Sequence, residues 1–298
     1  MAPGLVSGDI VASGRFPFAD RLRERRRFDR WIVGTPDGGA GIKRLVGLPG
    51  ERLSIEAGDL WIDGQRLLTP PAVLAQVAAA VPAAQEHRPD GSIRLEPHGP
   101  VLDDAAFAPG ERRLLLPVRD IGIVAVVGVD GTAAGRVTLL VGDRAARFTP
   151  QGRGRFGLVA GRLDGRFVAT AWPLAPGGEA GDASRDCLPS RAPEGWAVAS
   201  PWAGGDSADE PSPRLECRIE PGCTSDVITI VALSVWRDVL YRPAADGNVA
   251  WRLGPGEVFL LGDFSSGSRD SRHWGPIGAD RLLQRVTSVV KAAPDTLP

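Results

Sequence analysis

Glycine and proline set the first limit on what this chain can become. Its 298 residues include 38 Gly and 26 Pro, scattered from end to end. Each tends to interrupt a helix or open a turn, so long helices are disfavoured and many short strands are expected. The fold class this predicts is mainly β. Apolar residues supply 43% of the chain, enough for a sizeable core in one large domain or two ordinary ones.

About the first 70 residues alternate strand-like segments with turn signals. Gly8–Ala12, Trp31–Val33 and Lys43–Leu48 read as strands, with Pro36-Asp37-Gly38-Gly39 turning between the last two. Leu53–Glu56 and Leu60–Ile62 flank Ala57-Gly58-Asp59 as a hairpin, and Asp63-Gly64 is the next turn. Val73–Ala84 is alanine-rich and reads as a short helix. Short strands then recur at Arg113–Pro117, Ile121–Val127, Val137–Val141, Gly157–Ala160 and Phe167–Ala171, a spacing that suggests a β-sandwich. Residues 177–213, rich in Gly, Ser, Pro, Asp and Ala, read as a long surface loop. Strands resume at Asp226–Leu233 and Glu257–Leu261.

The formal net charge of −1 argues against a nucleic-acid partner. Between Asp20 and Arg30, however, six arginines meet three acids. That run reads first as a solvated excursion between strands, and alternatively as a basic patch against anionic lipid head groups. Three cysteines, Cys187, Cys217 and Cys223, leave one thiol unpaired. Cys217 and Cys223 flank Glu220-Pro221-Gly222, a spacing compatible with a small hairpin disulfide in an oxidising compartment. The three His are scattered and no CxxC pair occurs, so no metal site is expected, and no cofactor. No apolar run reaches the length of a membrane helix, and no signal-peptide pattern opens the chain.

One charged residue stands inside an otherwise apolar strand. Lys43 lies in Gly41-Ile42-Lys43-Arg44-Leu45-Val46-Gly47-Leu48-Pro49-Gly50-Glu51, where strand alternation sets it on one face with Leu45 and Gly47. Small, apolar neighbours desolvate an amine, lower its pKa and suit it to general-base work. The plainer reading is an exposed strand lysine with its head in water. Far downstream, Gly262-Asp263-Phe264-Ser265-Ser266-Gly267-Ser268-Arg269-Asp270-Ser271-Arg272-His273-Trp274 is a polar, turn-rich segment. Together the two segments closely resemble the lysine box and the Gly-Asp…Ser-x-Asp-Ser-Arg box of the signal peptidase I family. Members of that family are serine endopeptidases that use a Ser–Lys dyad.

The resemblance is carried by about residues 1–70 and 227–290. It implies that Lys43 is the general base and that the Ser268 hydroxyl orients it. Asp270 and Arg272, with Ser271 between them, fall where the family has a supporting ion pair or hydrogen-bond network. Gly262 and Asp263 fall in the tight turn leading into that box. Phe264 is a departure, standing where the family usually has Asn. The implied fold is a β catalytic domain, discontinuous over 1–72 and 227–298, with a large inserted β-sandwich-like domain at 73–226. The strand Gly8-Asp9-Ile10-Val11, with backbone near Lys43, is expected to hold an extended peptide by strand addition.

The nucleophile is the gap in this scheme. In the family the catalytic serine is followed directly by a methionine, and Met1 aligns with that methionine. The serine and the membrane helix before it would then precede residue 1, and the chain as given is expected to be inactive. Ser7 is a poor substitute. Six residues along a strand span about 20 Å, whereas nucleophile and base must approach to about 3 Å.

Other patterns carry less. Gly152-Arg153-Gly154-Arg155-Phe156-Gly157 satisfies GxGxxG, but no helix pattern follows, so it reads as a turn between sandwich strands. His273 beside Asp270 and Ser271 invites a triad, yet sequence neighbours rarely converge as a triad does, and packing beside Trp274 is the expectation. Trp196 and Trp202, in the loop, are candidates for ligand contact. The function expected is a signal peptidase I-like endopeptidase that removes signal peptides from exported preproteins at the outer face of the cytoplasmic membrane. The alternative is a non-catalytic paralogue whose β-rich insert serves as a binding module, or a soluble protein if the chain truly starts at Met1.

Overall fold

Strand follows strand along most of the chain. A computed structural model describes residues 10–14, 25–103, 114–131, 135–174, 193, 195–202, 213–220, 227–243, 247–265 and 267–290. The first strands are β1 (Ile10–Gly14), β2 (Arg30–Gly34), β3 (Ala40–Gly47), β4 (Arg52–Glu56), β5 (Asp59–Ile62) and β6 (Gln65–Arg66). Helix α1 (Pro71–Val77) comes next, then β7 (Ala79–Val81), β8 (Ala83–His87), β9 (Ser92–Pro97) and β10 (Ile121–Asp130). There follow β11 (Arg136–Val141), β12 (Arg144–Phe148), β13 (Gly154–Leu163), β14 (Arg166–Pro173) and β15 (Val198–Pro201). After β16 (Leu215–Glu220) and β17 (Val227–Arg237) come β18 (Ala250–Arg252), β19 (Glu257–Leu261) and the single turn α2 (Ser271–Trp274). The last elements are β20 (Ile277–Gly278), a 3₁₀ turn at Ala279–Arg281 and β21 (Leu282–Val290). The fold is mainly β, as the glycine and proline distribution predicts.

The chain divides into two units. One comprises Met1–Leu67, Ala105–Arg112 and Val239–Pro298; the other comprises Leu68–Asp104 and Arg113–Asp238. The first contains an antiparallel sheet in the order β1-β21-β2-β3-β19-β20, and a smaller one in the order β18-β4-β5-β6. Strands β3 and β19 are buried on both sides. Leu45 and Leu260 enter a core with Trp31, Val33 and Leu282, while Val46, Phe259 and Leu261 enter a second with Leu53 and Trp251. Strand alternation lets both strands serve both cores, and their register slips between Phe259 and Leu260. The approach is close: a Cβ on Gly47 would lie 2.7 Å from Phe259 Cβ, so only glycine fits there. At Asp63-Gly64 both residues take positive φ, 50° and 79°, the geometry of a two-residue hairpin turn.

The second unit pairs its strands in the orders β15-β14-β13-β10-β17-β7 and β12-β11-β16-β9-β8. Within it β11 packs on β13 and β10 on β16, a β-sandwich. Helix α1 lays Leu74 against Val124, Val159, Trp172 and Trp236. Strand β17, which sequence composition groups with the C-terminal block, pairs here with β10. Cys217 is a free, buried thiol within β16, its pKa pushed up to about 12 by burial and by Glu216. Cys187 and Cys223, the latter its suggested partner, lie outside the described residues.

Two local expectations are corrected. The helix expected over Val73–Ala84 runs only from Pro71 to Val77. Pro82, lacking an N–H, cannot continue it, and Val81 instead pairs with Val235 while Ala83 pairs with Pro97. The strand expected at Arg113–Pro117 reduces to one bridge, Leu102 with Pro117. The loop expected at 177–213 lies mostly outside the described residues, although Val198–Pro201 form β15. Among the described residues no helix is long and apolar enough to cross a membrane.

Candidate functional site

The site is assembled in the first unit from β3 and the turn that follows β19. Along β3, alternation sends Lys43 and Arg44 to opposite faces. Trp31 of β2 stands directly across from Lys43 and is almost fully buried. Trp31 and Leu45, the next residue on the Lys43 face, belong to one buried cluster, and Lys43 itself is half-buried. Gly41 lies beside the stem, and a Cβ there would make ordinary van der Waals contact with Lys43 Cε at 3.8 Å.

At the far end of that stem, Lys43 Nζ donates a hydrogen bond to Ser268 Oγ at 2.9 Å, joining residues 225 positions apart. Burial lowers the amine's pKa from its ordinary 10.5; Asp270 pulls it back up, Arg272 pushes it down, and Asp263 and Asp37 pull up. Desolvation prevails. The exposed-lysine reading therefore fails, because the residue is half-buried and burial outweighs the pull of the acidic neighbours on its amine.

A tight turn presents Ser268. Phe264 O accepts the N–H groups of Gly267 and Ser268, at 3.3 and 3.0 Å. Phe264, the departure from the resembled pattern, lays its ring on Gly267, where a Cβ would come within 2.2 Å of Cε1. The glycine is thus fitted to the phenyl ring, and the turn closes without an asparagine.

Below the turn, Asp270 is fully buried and saturated with donors. It accepts from Gly262 N at 2.9 Å, from Arg272 Nε and Nη2 at 2.9 and 2.8 Å, and from Arg272 N at 3.2 Å. Arg272 Nη2 also donates to Ser265 O at 2.6 Å, and Nη1 to Ser265 Oγ and Arg242 O at 3.1 and 3.2 Å. Ser271 Oγ accepts the buried N–H of Leu260 at 3.0 Å, tying the box to β19. His273 is spent on a local cap, its Nδ1 facing Asp270 N at 3.5 Å. Among the described residues it forms no triad, and its side chain caps α2.

Sequence reasoning missed one partnership. Arg44 Nε and Nη2 clasp both oxygens of Asp263 at 2.7 Å each, and Nη1 donates to Phe28 O at 2.8 Å. Arg44 is 2% exposed. A bidentate buried pair of this kind fixes geometry strongly, and here it locks the lysine strand to the turn that carries Ser268. The signal was present in the charge run Lys43-Arg44, but sequence alone gave it no partner. Arg27, from the arginine-rich run, is similarly pinned: it pairs with Glu51 at 2.6 Å, and Glu51 in turn accepts the Leu48 N–H that opens the Pro49-Gly50 turn.

Of the expected substrate strand, Ile10 and Val11 lie in β1, at the edge of the sheet, with Ile10 68% exposed. Gly8, Asp9 and Ser7 lie outside the described residues. Two strands, β21 and β2, separate β1 from β3, so Ser13 of β1 is not a partner for Lys43; its hydroxyl bonds Gln284 instead. Along Ala40–Lys43, the edge of β3 away from β2 pairs with no strand among the described residues. Trp196 and Trp202 are occupied within the second unit: Trp196 Nε1 donates to Thr69 O at 2.9 Å, and the Arg162 guanidinium lies 5.5 Å from the Trp202 ring centroid.

No curated protein matches the chain. Residues 1–113 match a family model described as signal peptidase, peptidase S26, a span that includes Lys43 but ends well before Ser268. Over that span the chain is similar to the signal peptidase family, peptidase S26.

Proposed function

We propose that the chain is a signal-peptidase-type serine endopeptidase in which Lys43 is the general base. One observation carries the reading: the half-buried amine of Lys43, its pKa lowered by burial, hydrogen-bonded to Ser268 Oγ at 2.9 Å. An uncharged amine can take the proton of a serine hydroxyl as that oxygen attacks a peptide carbonyl, then hand it to the departing amine. Ser268 holds Nζ in position for both transfers, and the Asp270–Arg272 and Arg44–Asp263 pairs hold Ser268 and β3. The edge of β3 at Ala40–Lys43, unpaired among the described residues, suits an extended peptide, which main-chain hydrogen bonds would hold beside the amine. By family resemblance the peptide is an exported preprotein, met at the outer face of the cytoplasmic membrane.

The attacking serine is the one the resemblance assigns to the position directly before the methionine that aligns with Met1. The test is cleavage of a purified preprotein by the protein expressed with its in-frame upstream coding sequence. Cleavage is expected, and Lys43→Ala is expected to abolish it. Cleavage that persists in Lys43→Ala overturns the assignment of the base. A well-folded protein that binds the preprotein and leaves it intact favours the binding-module reading.

A further inference from the structure

Amine chemistry in this chain is confined to very few positions. Lys and Arg together number 35, yet only Lys43 and Lys291 are lysines. The guanidinium of arginine stays protonated and is no nucleophile at neutral pH. One of the two, Lys43, is half-buried with a hydroxyl at hydrogen-bond distance from its amine.

We propose that Lys43 is also a covalent acceptor for aldehydes, condensing with them to a reversible imine. The inference rests on the placement of the amine described above, not on its role in proteolysis. In the step, the Nζ lone pair adds to the carbonyl carbon and one Nζ proton passes to the carbonyl oxygen, with the Ser268 hydroxyl as relay. The carbinolamine then expels its hydroxyl, which leaves as water with the second Nζ proton, and the C=N bond forms. Amine and aldehyde become imine and water, and no further reactant is consumed.

The surroundings select this class of electrophile. Asp270, Asp263 and Asp37 each favour positive charge at Nζ, and Arg272 opposes it. Arg44 and Arg30 pair across β2 and β3 in the register that alternates with Lys43 and Trp31, so they face the other way. The imine forms neutral and so escapes the burial that disfavours charge at Nζ, whereas an anionic adduct, such as the carbamate formed with carbon dioxide, would set a negative charge beside Asp270 and Asp263.

The experiment is reductive trapping with benzaldehyde and cyanoborohydride at neutral pH, read by peptide mapping in a mass spectrometer. Lys43 is expected to be benzylated faster than Lys291, by about tenfold for each unit of lowered pKa, because the free-amine fraction rises by that factor. Lys291→Arg should leave Lys43 labelling unchanged, Lys43→Arg should remove it, and Ser268→Ala should slow it in a protein of unaltered circular dichroism. Labelling of Lys43 no faster than that of Lys291 overturns the proposal. So does labelling indifferent to Ser268→Ala, because the relay is part of the step. The two readings of Lys43 part cleanly: Lys43-dependent preprotein cleavage without trapping defeats the imine and spares the base, and trapping without cleavage does the reverse.

Discussion

Ser268 rests on the bare backbone of Gly262: a Cβ at residue 262 would lie 2.0 Å from Ser268 Oγ and 2.4 Å from its Cβ. No side chain can occupy that space while Ser268 stays within reach of Lys43. Gly262→Ala is therefore expected to displace Ser268 and break its bond to Nζ, with an overpacking cost of about 1–3 kcal/mol. Thermal denaturation gives the cost, and Lys43 benzylation reports the broken contact. A variant with wild-type stability and labelling would show that the turn gives way freely.

The Arg44–Asp263 clasp makes a second, larger prediction. Arg44 is essentially inaccessible, so Asp263→Asn leaves a buried guanidinium short of its counter-charge. Breaking such a pair from one side costs about 3–5 kcal/mol. Arg44→Lys should also destabilise, since an ammonium cannot grip two carboxylate oxygens and Phe28 O together. Urea denaturation of both single variants and the double variant measures the coupling, and additive effects would refute it.

Lys43 ties stability to pH with a definite sign. Its folded pKa lies below 10.5, so between that value and 10.5 the unfolded chain binds more protons than the folded one. This lysine's contribution to stability thus rises with pH across the window, and below it the full cost of burying an ammonium is felt. Lys43→Met is expected to stabilise the protein at acidic pH, with the gain shrinking as pH climbs toward 10.5. Proteolysis should follow the same group, with its rate increasing as pH rises through the folded pKa. A stability difference independent of pH would contradict the shift.

Cys217 offers a negative control on reactivity. Its thiol is buried and held at a pKa of about 12, so almost no thiolate exists at pH 8. Iodoacetamide should leave the Cys217 peptide unmodified in the native protein and alkylate it in urea. Rapid native alkylation would mean that β16 opens easily.

Much of the strand order was legible because glycine and proline mark turns wherever they fall. The hairpin through Ala57-Gly58-Asp59 and the strand Glu257–Leu261 follow from such local signals. Alanine misled at residues 78–84, where pairing with β17 and β9 outweighs helix propensity. Long-range geometry was less accessible. Nothing near Lys43 in sequence points to a residue 225 positions away, and only the resemblance named Ser268 as its neighbour. The clasp of Arg44 on Asp263, set by the pairing of β3 with β19, had no local signature at all.

The joining of β3 to β19 also orders events in time. A strand completed by residue 47 waits for partners at residues 257–261, while the whole of the second unit, ending at Asp238, is made in between. Contacts this distant in sequence form late. Until they form, Lys43 has no Ser268, no Asp270 and no burial to lower its pKa, and it is an ordinary charged lysine. The nascent chain thus carries its reactive amine in a dormant form, armed only when nearly all of the sequence has been synthesised and folded.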